Sequence, residues 1–293
     1  MNPRLRADLA LALIAFIWGA TFILTKNALV HASVLLFLTL RFTLAAGALA
    51  GVFAWQREGT GGRRAILGGI AAGVCLFLGY VLQTIGLKYT TATKTGFITG
   101  LYVVVVPLLG SLVYRNVPKL LEIAGVGIAG LGMALLTLPA EGWALESGDL
   151  LVAASTIPYA AHLLLVVRIA RWCSPVALAL YQTITGAVLG AAVFWWAEKS
   201  FVQWNAELLI ALAVTGLLAT AFSFTLLSWA QRSTTATRSA VILTLEPLFA
   251  WLTSLVVAGE QLGGRAALGA VLILGSILVV ELKPTASTEH PSG

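Results

Sequence analysis

The chain has 293 residues, of which 59% are hydrophobic and only 10% are charged, with a formal net charge of +6 and a mean hydropathy of +0.95. A soluble domain carries about 25% charged residues, so this composition excludes a water-covered surface and predicts the lipid bilayer as the main solvent. The basic residues lie in short groups between apolar runs, which argues against a nucleic-acid partner. Cys75 and Cys173 form no CxxC or Cys/His cluster, so no disulfide framework, metal site or other cofactor is predicted.

Apolar segments of about 20 residues, the length that crosses a bilayer core, recur ten times along the chain. The first is interpreted as an uncleaved span and not a signal peptide, because its apolar run continues past Phe22. The polar tail 284–293 contains two prolines and is predicted to be disordered. The ten predicted spans are 8–28, 33–55, 66–87, 95–114, 119–138, 149–167, 176–197, 207–229, 239–258 and 264–282.

The distribution of Lys and Arg predicts which way the spans run. If the N-terminus lies inside, the segments on that side hold most of the Lys and Arg residues outside the spans. The loop 139–148 contains Glu141 and Glu146 but no Lys or Arg, which fits the outer side. We therefore expect a multi-pass protein of the cell (inner) membrane with both termini in the cytoplasm.

One short segment occurs twice in the chain. The sequence KYTTATK at 88–94 returns as RSTTATR at 232–238, which is 144 residues later (232 − 88). Ten spans divided between two copies give five each, and an odd number inverts the second copy across the bilayer. The predicted fold is therefore an all-α integral membrane protein with ten transmembrane helices as two inverted five-helix repeats, residues 1–140 and 141–283.

The repeat extends to the front of each half, with a slightly shorter offset of 141 (149 − 8). Asp8 corresponds to Asp149, and each is predicted to lie at a helix start, where a carboxylate can cap free N–H groups. Pro107 and Pro247 each lie inside a span and remove one backbone hydrogen bond, so they are candidate kinks and hinges. They are 140 residues apart (247 − 107), about one helical turn out of register with the repeated segment.

Polar and aromatic side chains within the spans form stripes at helical spacing, and several are equivalent by the repeat. Trp18 corresponds to Tyr159, and Tyr102 corresponds to Glu246. Such a pattern predicts one cavity, related by a two-fold axis, that suits a small amphipathic ligand. The alternative is that these groups bond to their own helix or to a neighbouring helix. The predicted substrate-binding residues are Trp18, Thr21, Thr25, Tyr80, Gln83, Thr99, Tyr102, Tyr159, His162 and Glu246.

Three ionisable residues are candidates for coupling or ion pairing. A carboxylate within a span, such as Glu246, must be protonated, paired or wet, so it could act as a proton-linked switch or contact a substrate amine. Its structural alternative is a partner for Arg41 or Lys26, or a cap beside Pro247. Arg41 could bind a substrate carboxylate, or form a structural ion pair or snorkel to the interface. His162 could titrate near neutral pH or simply donate a hydrogen bond to a neighbouring helix.

Four segments carry a resemblance to a known family. They are Trp18-Gly19-Ala20-Thr21-Phe22 followed by Lys26; Arg41-Phe42; Gly96-Phe97-Ile98-Thr99-Gly100-Leu101-Tyr102 leading to Pro107; and Leu245-Glu246-Pro247-Leu248-Phe249 closing with Gly259-Glu260. In this order, over nearly the whole chain, they resemble the EamA-type branch of the drug/metabolite transporter superfamily. The resemblance implies an inner-membrane secondary transporter whose central cavity is lined by spans 1, 3, 4, 6, 8 and 9. One departure is the end of the first half, Arg115-Asn116-Val117-Pro118, which lacks an equivalent of Glu260.

The resemblance further implies export of amino acids or related amphipathic metabolites, and we expect this transport to be driven by a gradient. We do not expect an enzyme, because no GxxxxGK[ST], HExxH or GxSxG motif is present. One alternative is a sugar-phosphate or nucleotide-sugar exchanger, which needs several cationic residues where only Arg41 and Lys26 are available. Another is a non-transporting membrane protein that handles lipids or acts in assembly. The expected partners are a small-molecule substrate and the bilayer, and the oligomeric state, which includes a monomer, stays open.

Overall fold

A computed structural model describes residues 2–57, 59–115, 120–137, 146–258 and 264–281. Within these ranges the chain forms thirteen α-helices and one π-helical segment, and its only β pairing is an isolated antiparallel bridge between Ala32 and Val202. The helices are α1 (Pro3–His31), α2 (Val34–Gln56), α3 (Gly62–Lys88), α4 (Ala92–Gly100), α5 (Tyr102–Tyr114), α6 (Leu120–Thr137), α7 (Ser147–Ile169), α8 (Pro175–Ala197), α9 (Ala206–Ala213), the π segment (Val214–Phe222), α10 (Ser223–Ala230), α11 (Ala236–Leu243), α12 (Leu245–Ala258) and α13 (Gly264–Glu281).

Seven helical segments of the described chain are long and apolar enough to cross a membrane. Two of them are composite: Ala92–Val113 joins α4 to α5, and Ala206–Ala230 joins α9, the π segment and α10. The apolar stretches of α6 and α13 are shorter, and α11 and α12 are separated at Thr244. The predicted all-helical membrane character is confirmed, whereas the count of ten spans in two inverted repeats stays a prediction. The predicted tail 284–293 and most of the loop 139–148 lie outside the described residues.

Large apolar side chains both fill the bundle and cover its outside. Phe37 and Phe42 are fully buried in the core. Leu112, Leu120 and Val271 are more than half exposed on the surface. An exposed apolar surface of this extent is unfavourable in water and favourable in hydrocarbon, so the surface chemistry agrees with the hydropathy of the sequence.

Two helices are interrupted at nearly equivalent places. The break between α4 and α5 lies at Leu101, and the break between α11 and α12 lies at Thr244, 143 residues later (244 − 101). Pro247 explains the second break, because its ring clashes with the carbonyl four residues earlier, and that residue ends α11. Pro107 lies inside continuous α5, six residues past the first break. The hinge role of either proline stays a prediction.

The two repeated aspartates differ in their helix positions. Asp149 lies in the first turn of α7, and its carboxylate accepts a hydrogen bond of 3.0 Å from the Glu146 backbone N–H in a capping box. Asp8 lies in the second turn of α1, whose N-cap is Asn2. The prediction that both aspartates mark a helix start is therefore confirmed for Asp149 and wrong for Asp8.

Candidate substrate-binding site

A cleft lies inside the bundle, between helices from both halves of the chain. Its cavity volume is about 70 Å³, which is room for several water molecules. All ten predicted substrate-binding residues line it, together with Arg41, and their role in binding stays a prediction. The lining residues are Trp18, Thr21, Phe22, Thr25, Arg41, Leu76, Tyr80, Gln83, Thr84, Leu87, Thr99, Tyr102, Tyr159, His162, Leu163, Phe224, Leu227, Leu243 and Glu246.

Most of the lining consists of residues that correspond to one another by the sequence repeat. At the offset of 144 the cleft contains both members of four pairs, and at the offset of 141 it contains both members of three more. The sequence prediction missed Phe224, Leu227 and Leu243 because apolar residues carry no signal inside an apolar span. The repeat offset is the signal that could have found them. The pairs are Tyr80/Phe224, Gln83/Leu227, Thr99/Leu243, Tyr102/Glu246, Trp18/Tyr159, Thr21/His162 and Phe22/Leu163.

Arg41 is held in place by polar side chains. It is only 4% exposed; its Nε donates to Thr220 Oγ1 at 2.8 Å, and its Nη2 donates to the Tyr80 hydroxyl at 2.9 Å. The described residues contain no acidic partner for it, and burial excludes snorkelling to the interface. A guanidinium has five N–H donors, so Arg41 retains donors for a ligand in the cleft.

The π segment Val214–Phe222 contacts the cleft through two residues of the first half. The Trp18 indole N–H donates to the Ala219 carbonyl at 2.8 Å. Thr220, which accepts from Arg41, donates its hydroxyl to the Thr215 carbonyl at 2.8 Å. A wide helix alters the usual backbone pairing, and π-helical turns occur often at functional sites. This π-helical segment was not predicted, because an apolar run of this kind is typical of an ordinary α-helix.

A hydrogen-bonded network joins three helices on one side of the cleft. The Tyr159 hydroxyl donates to Gln83 Oε1 at 2.9 Å, and Gln83 Nε2 donates to Thr99 Oγ1 at 2.9 Å. The threonines of α1 behave differently, since Thr21 and Thr25 donate to carbonyls of their own helix. The hydroxyl groups of Thr21 and Thr25 therefore bond within their own helix, as the alternative interpretation predicts, whereas the side chains of the network bond between helices.

Glu246 and Tyr102 are polar groups of the cleft without protein partners. The described residues provide no hydrogen bond or ion pair to the Glu246 carboxyl, although this residue is only 4% exposed. The Tyr102 hydroxyl is also buried without a partner. Lys26 donates instead to the Thr90 carbonyl. The alternative that Glu246 pairs with Lys26 or Arg41 is therefore not found among the described residues. The Glu246 carboxyl and the Tyr102 hydroxyl can therefore each form a hydrogen bond with a ligand or with water, and the carboxyl can also bind a proton.

His162 makes the interhelical hydrogen bond that its structural interpretation predicts. Its Nε2 lies 2.5 Å from Gln182 Oε1. Gln182 donates its own amide to the Leu178 carbonyl at 3.0 Å, which leaves Oε1 as the acceptor and makes His162 the donor. Its ring also packs nearly perpendicular to the Phe224 ring, at 5.5 Å between ring centroids. The ring of His162 is therefore fixed, and its coupling role stays a prediction.

Ion pairs join the two halves at both ends of the bundle. Arg238, at the start of α11, binds both carboxylate oxygens of Asp8 at 3.0 and 2.6 Å. Lys94, at the start of α4, contacts Glu146 at 2.9 Å and Asp149 at 3.7 Å. Arg238 corresponds to Lys94 and Asp8 to Asp149, so the two contacts are equivalent by the repeat and connect opposite halves.

Apolar helical segments of membrane length around an internal cleft with buried ionisable groups define a multi-pass membrane protein. The chain belongs to the EamA-like transporter family, whose profile matches residues 5–138 and 146–282. The family resemblance drawn from the sequence is thus confirmed, and the protein is a membrane transporter by family.

Relatives cover the chain almost completely. An uncharacterized transporter of Archaeoglobus fulgidus is 35% identical over 96% of this chain and 87% of its own length. The uncharacterized transporter YvbV of Bacillus subtilis is 26% identical over 97% of this chain and 94% of its own length. One crystal structure matches with a TM-score of 0.78 and 18% identity, covering 94% of this chain and 96% of that one. At this identity the structural likeness shows the fold alone.

Proposed function

We propose that this protein exports small amphipathic metabolites, amino acids or related compounds, across the cell (inner) membrane by alternating access. The observation that carries the proposal is the cleft between repeat-equivalent residues, in which Glu246 and Tyr102 have no partner among the described residues. A buried polar group without a partner costs about 1–3 kcal/mol, so a ligand that supplies the missing partner is favoured. A cleft lined by polar groups without partners is therefore better explained by ligand binding in a carrier than by packing in a structural core.

The charges of the cleft favour a zwitterionic ligand. Glu246 can accept hydrogen bonds from an ammonium group, and Arg41 retains donors for a carboxylate. Arg41 is the only cation among the described lining residues. A phosphate ester or nucleotide sugar carries more negative charge than one guanidinium can offset, so the exchanger alternative is weaker. Uptake and counterflow of radiolabelled amino acids into proteoliposomes test the proposal, and no movement under any imposed gradient would contradict it.

The proposed function includes a topology of ten spans in two inverted repeats. It is supported by the equivalent starts of α4 and α11, which lie 144 residues apart (236 − 92). At both starts a threonine hydroxyl caps the helix: Thr91 accepts from the Lys94 N–H at 3.1 Å, and Thr235 accepts from the Arg238 N–H at 3.3 Å. Both termini then lie in the cytoplasm.

Cysteine labelling tests this topology. In a chain with Cys75 and Cys173 replaced by alanine, Gln203→Cys should react with an impermeant maleimide in intact cells, because its loop is predicted to lie outside. Thr60→Cys should react only after permeabilisation, because its loop is predicted to lie inside. Both side chains are exposed, so access to the reagent depends on the side of the membrane. The reverse pattern, or labelling of both in intact cells, contradicts the topology.

Glu246 is the proposed coupling residue. Its carboxyl can bind either a proton or a substrate amine, but not both at once. Because the two compete for the same carboxyl, the movement of substrate is linked to the proton gradient. The ionisable groups that share its cleft are Arg41, His162, Tyr80, Tyr102 and Tyr159. Of these, His162 is already engaged as a donor to Gln182 Oε1.

Glu246→Gln should lower proton-driven uphill transport at least tenfold and remove its dependence on pH between about 5 and 8, since the amide cannot bind the proton. Glu207→Gln is the matched control, because this carboxylate pairs with His31 at 3.2 Å at the surface and lies outside the cleft. Rates and pH profiles would be compared in proteoliposomes. An unchanged rate and pH profile for Glu246→Gln would remove the coupling role, while leaving transport itself intact.

A further inference from the structure

The cleft is symmetric in its positions but not in its chemistry. The three members of the network, Gln83, Thr99 and Tyr159, correspond by the repeat to Leu227, Leu243 and Trp18. Two of these counterparts have no polar atom in the side chain. The third, Trp18, turns its only side-chain donor to the Ala219 carbonyl. One side of the cleft therefore offers hydrogen bonds, and its equivalent offers an apolar wall.

The two sides lie towards opposite ends of the bundle. Thr99 is seven residues past the start of α4, about 10 Å from that end at 1.5 Å per residue. Leu243 is seven residues past the start of α11, at the same depth from the end that carries Arg238. The network therefore lies on the Lys94 side of the cleft, and the leucines lie on the Arg238 side.

Further aromatic residues extend the apolar side. Phe224, one turn before Leu227, packs against the Trp18 ring at 5.4 Å between centroids. Leu227 and Leu243 are almost fully buried, with exposures of 1% and 2%. A polar group placed against this wall leaves water without gaining a partner, which is unfavourable. The wall therefore accepts apolar groups and rejects polar groups of the same shape.

We infer that an amphipathic ligand binds in one orientation, and that Leu227 and Leu243 select an apolar side chain. Its charged groups bind Glu246 and Arg41, as proposed above, the hydrogen-bonding end faces Gln83, Thr99 and Tyr159, and the apolar side chain faces the two leucines. This inference rests on the proposed transport function and adds the feature of the ligand that the protein selects. Under the proposed topology the apolar end points to the cytoplasm.

Leucine and asparagine form a suitable probe pair, because their side chains have nearly the same shape and differ in polarity. The wild-type protein in proteoliposomes should exchange labelled L-leucine in preference to L-asparagine. The double variant Leu227→Gln/Leu243→Thr gives the second half the residues of the first. It should lower the leucine-to-asparagine ratio at least tenfold, since a site that can pair a polar group discriminates strongly in its favour.

The variant Leu227→Met/Leu243→Val is the matched control, because it changes shape and keeps the wall apolar, so the ratio should stay at the wild-type value. If the double variant does not reconstitute, Leu243→Thr alone should shift the ratio in the same direction by a smaller factor. A wild-type preference for leucine that these polar substitutions leave unchanged overturns the inference while transport stands. A wild-type protein that exchanges neither amino acid contradicts the proposed substrate class and the inference with it.

Discussion

Replacing Gly19 with valine is expected to abolish transport and to destabilise the bundle. A Cβ atom at Gly19 would lie 2.5 Å from the Glu246 carbonyl oxygen and 2.8 Å from the Ala250 backbone nitrogen. Both are backbone atoms of α12 and cannot rotate away, so α1 and α12 must separate. Overpacking of this kind costs about 1–3 kcal/mol, and small residues are what allow membrane helices to approach so closely.

The effect on transport follows from the position of Glu246. This residue lies in the first turn of α12, so a displaced α12 carries the carboxyl away from Tyr102 and Arg41. Catalytic and binding geometries tolerate little displacement, and about 1 Å can lower a rate 100-fold. Transport and thermal stability would be measured on the same preparation, and Gly19→Ala should show both effects in weaker form.

Gly47→Val is the control for the added side chain. A Cβ atom at Gly47 would meet no atom within 4 Å, so both its stability and its transport should stay close to wild type. If Gly19→Val also kept wild-type stability and rate, then α1 and α12 would not need their close contact for the transport cycle.

The polar residues of the cleft could be predicted because they are rare inside apolar spans. Trp18, Thr99 and Tyr159 stand out from their neighbours, and helical spacing places each on a definite face. Which of them bond to each other could not be predicted, because the network depends on the distance between α3, α4 and α7. That the Glu246 carboxyl has no partner among the described residues could not be predicted either, because it depends on where Arg41 and Lys26 lie in the folded chain.

Local sequence patterns predicted helix ends and helix breaks poorly where these depend on tertiary contacts. Asp8 and Asp149 are each followed by leucine, and each pairs with a basic residue of the other half, yet only Asp149 also caps its helix. The helix break at Leu101 has no proline in the turn that follows it, because Pro107 lies six residues further along the chain. Proline positions therefore predicted the break at Thr244 and missed the one at Leu101. The π segment likewise depends on acceptors for Trp18 and Arg41, which lie about 200 residues earlier in the chain.

Removing an ion pair at one end of the bundle is expected to shift the protein towards the state that is open at that end. Alternating access requires that each end open in turn, and each end is joined by a repeat-equivalent pair between halves. Asp8 and Arg238 have side-chain exposures of only 10% and 17%, so removal of one partner should cost about 1–3 kcal/mol at that end, as for hydrogen bonds to charged groups. That shifts the population towards the state open there by about 5- to 150-fold.

Arg238→Gln should therefore raise the reactivity of a cysteine at Leu243 towards a water-soluble maleimide added from the cytoplasmic side about tenfold, in a chain without Cys75 and Cys173. Lys94→Gln should do the same for a cysteine at Thr99 with reagent added from the outer side. Each variant also slows the full cycle, since one state is overpopulated.

The exchange Asp8→Arg/Arg238→Asp separates a specific ion pair from a general effect of charge. It restores opposite charges at the same two positions, so both reactivity and rate should return towards wild type, whereas Asp8→Arg alone should open the end further through repulsion. If the exchanged pair behaved like the single variant, the contact would be structural and the opening of that end would depend on other groups. If reactivity rose equally at both ends, the two halves would loosen together, which is incompatible with an alternating cycle.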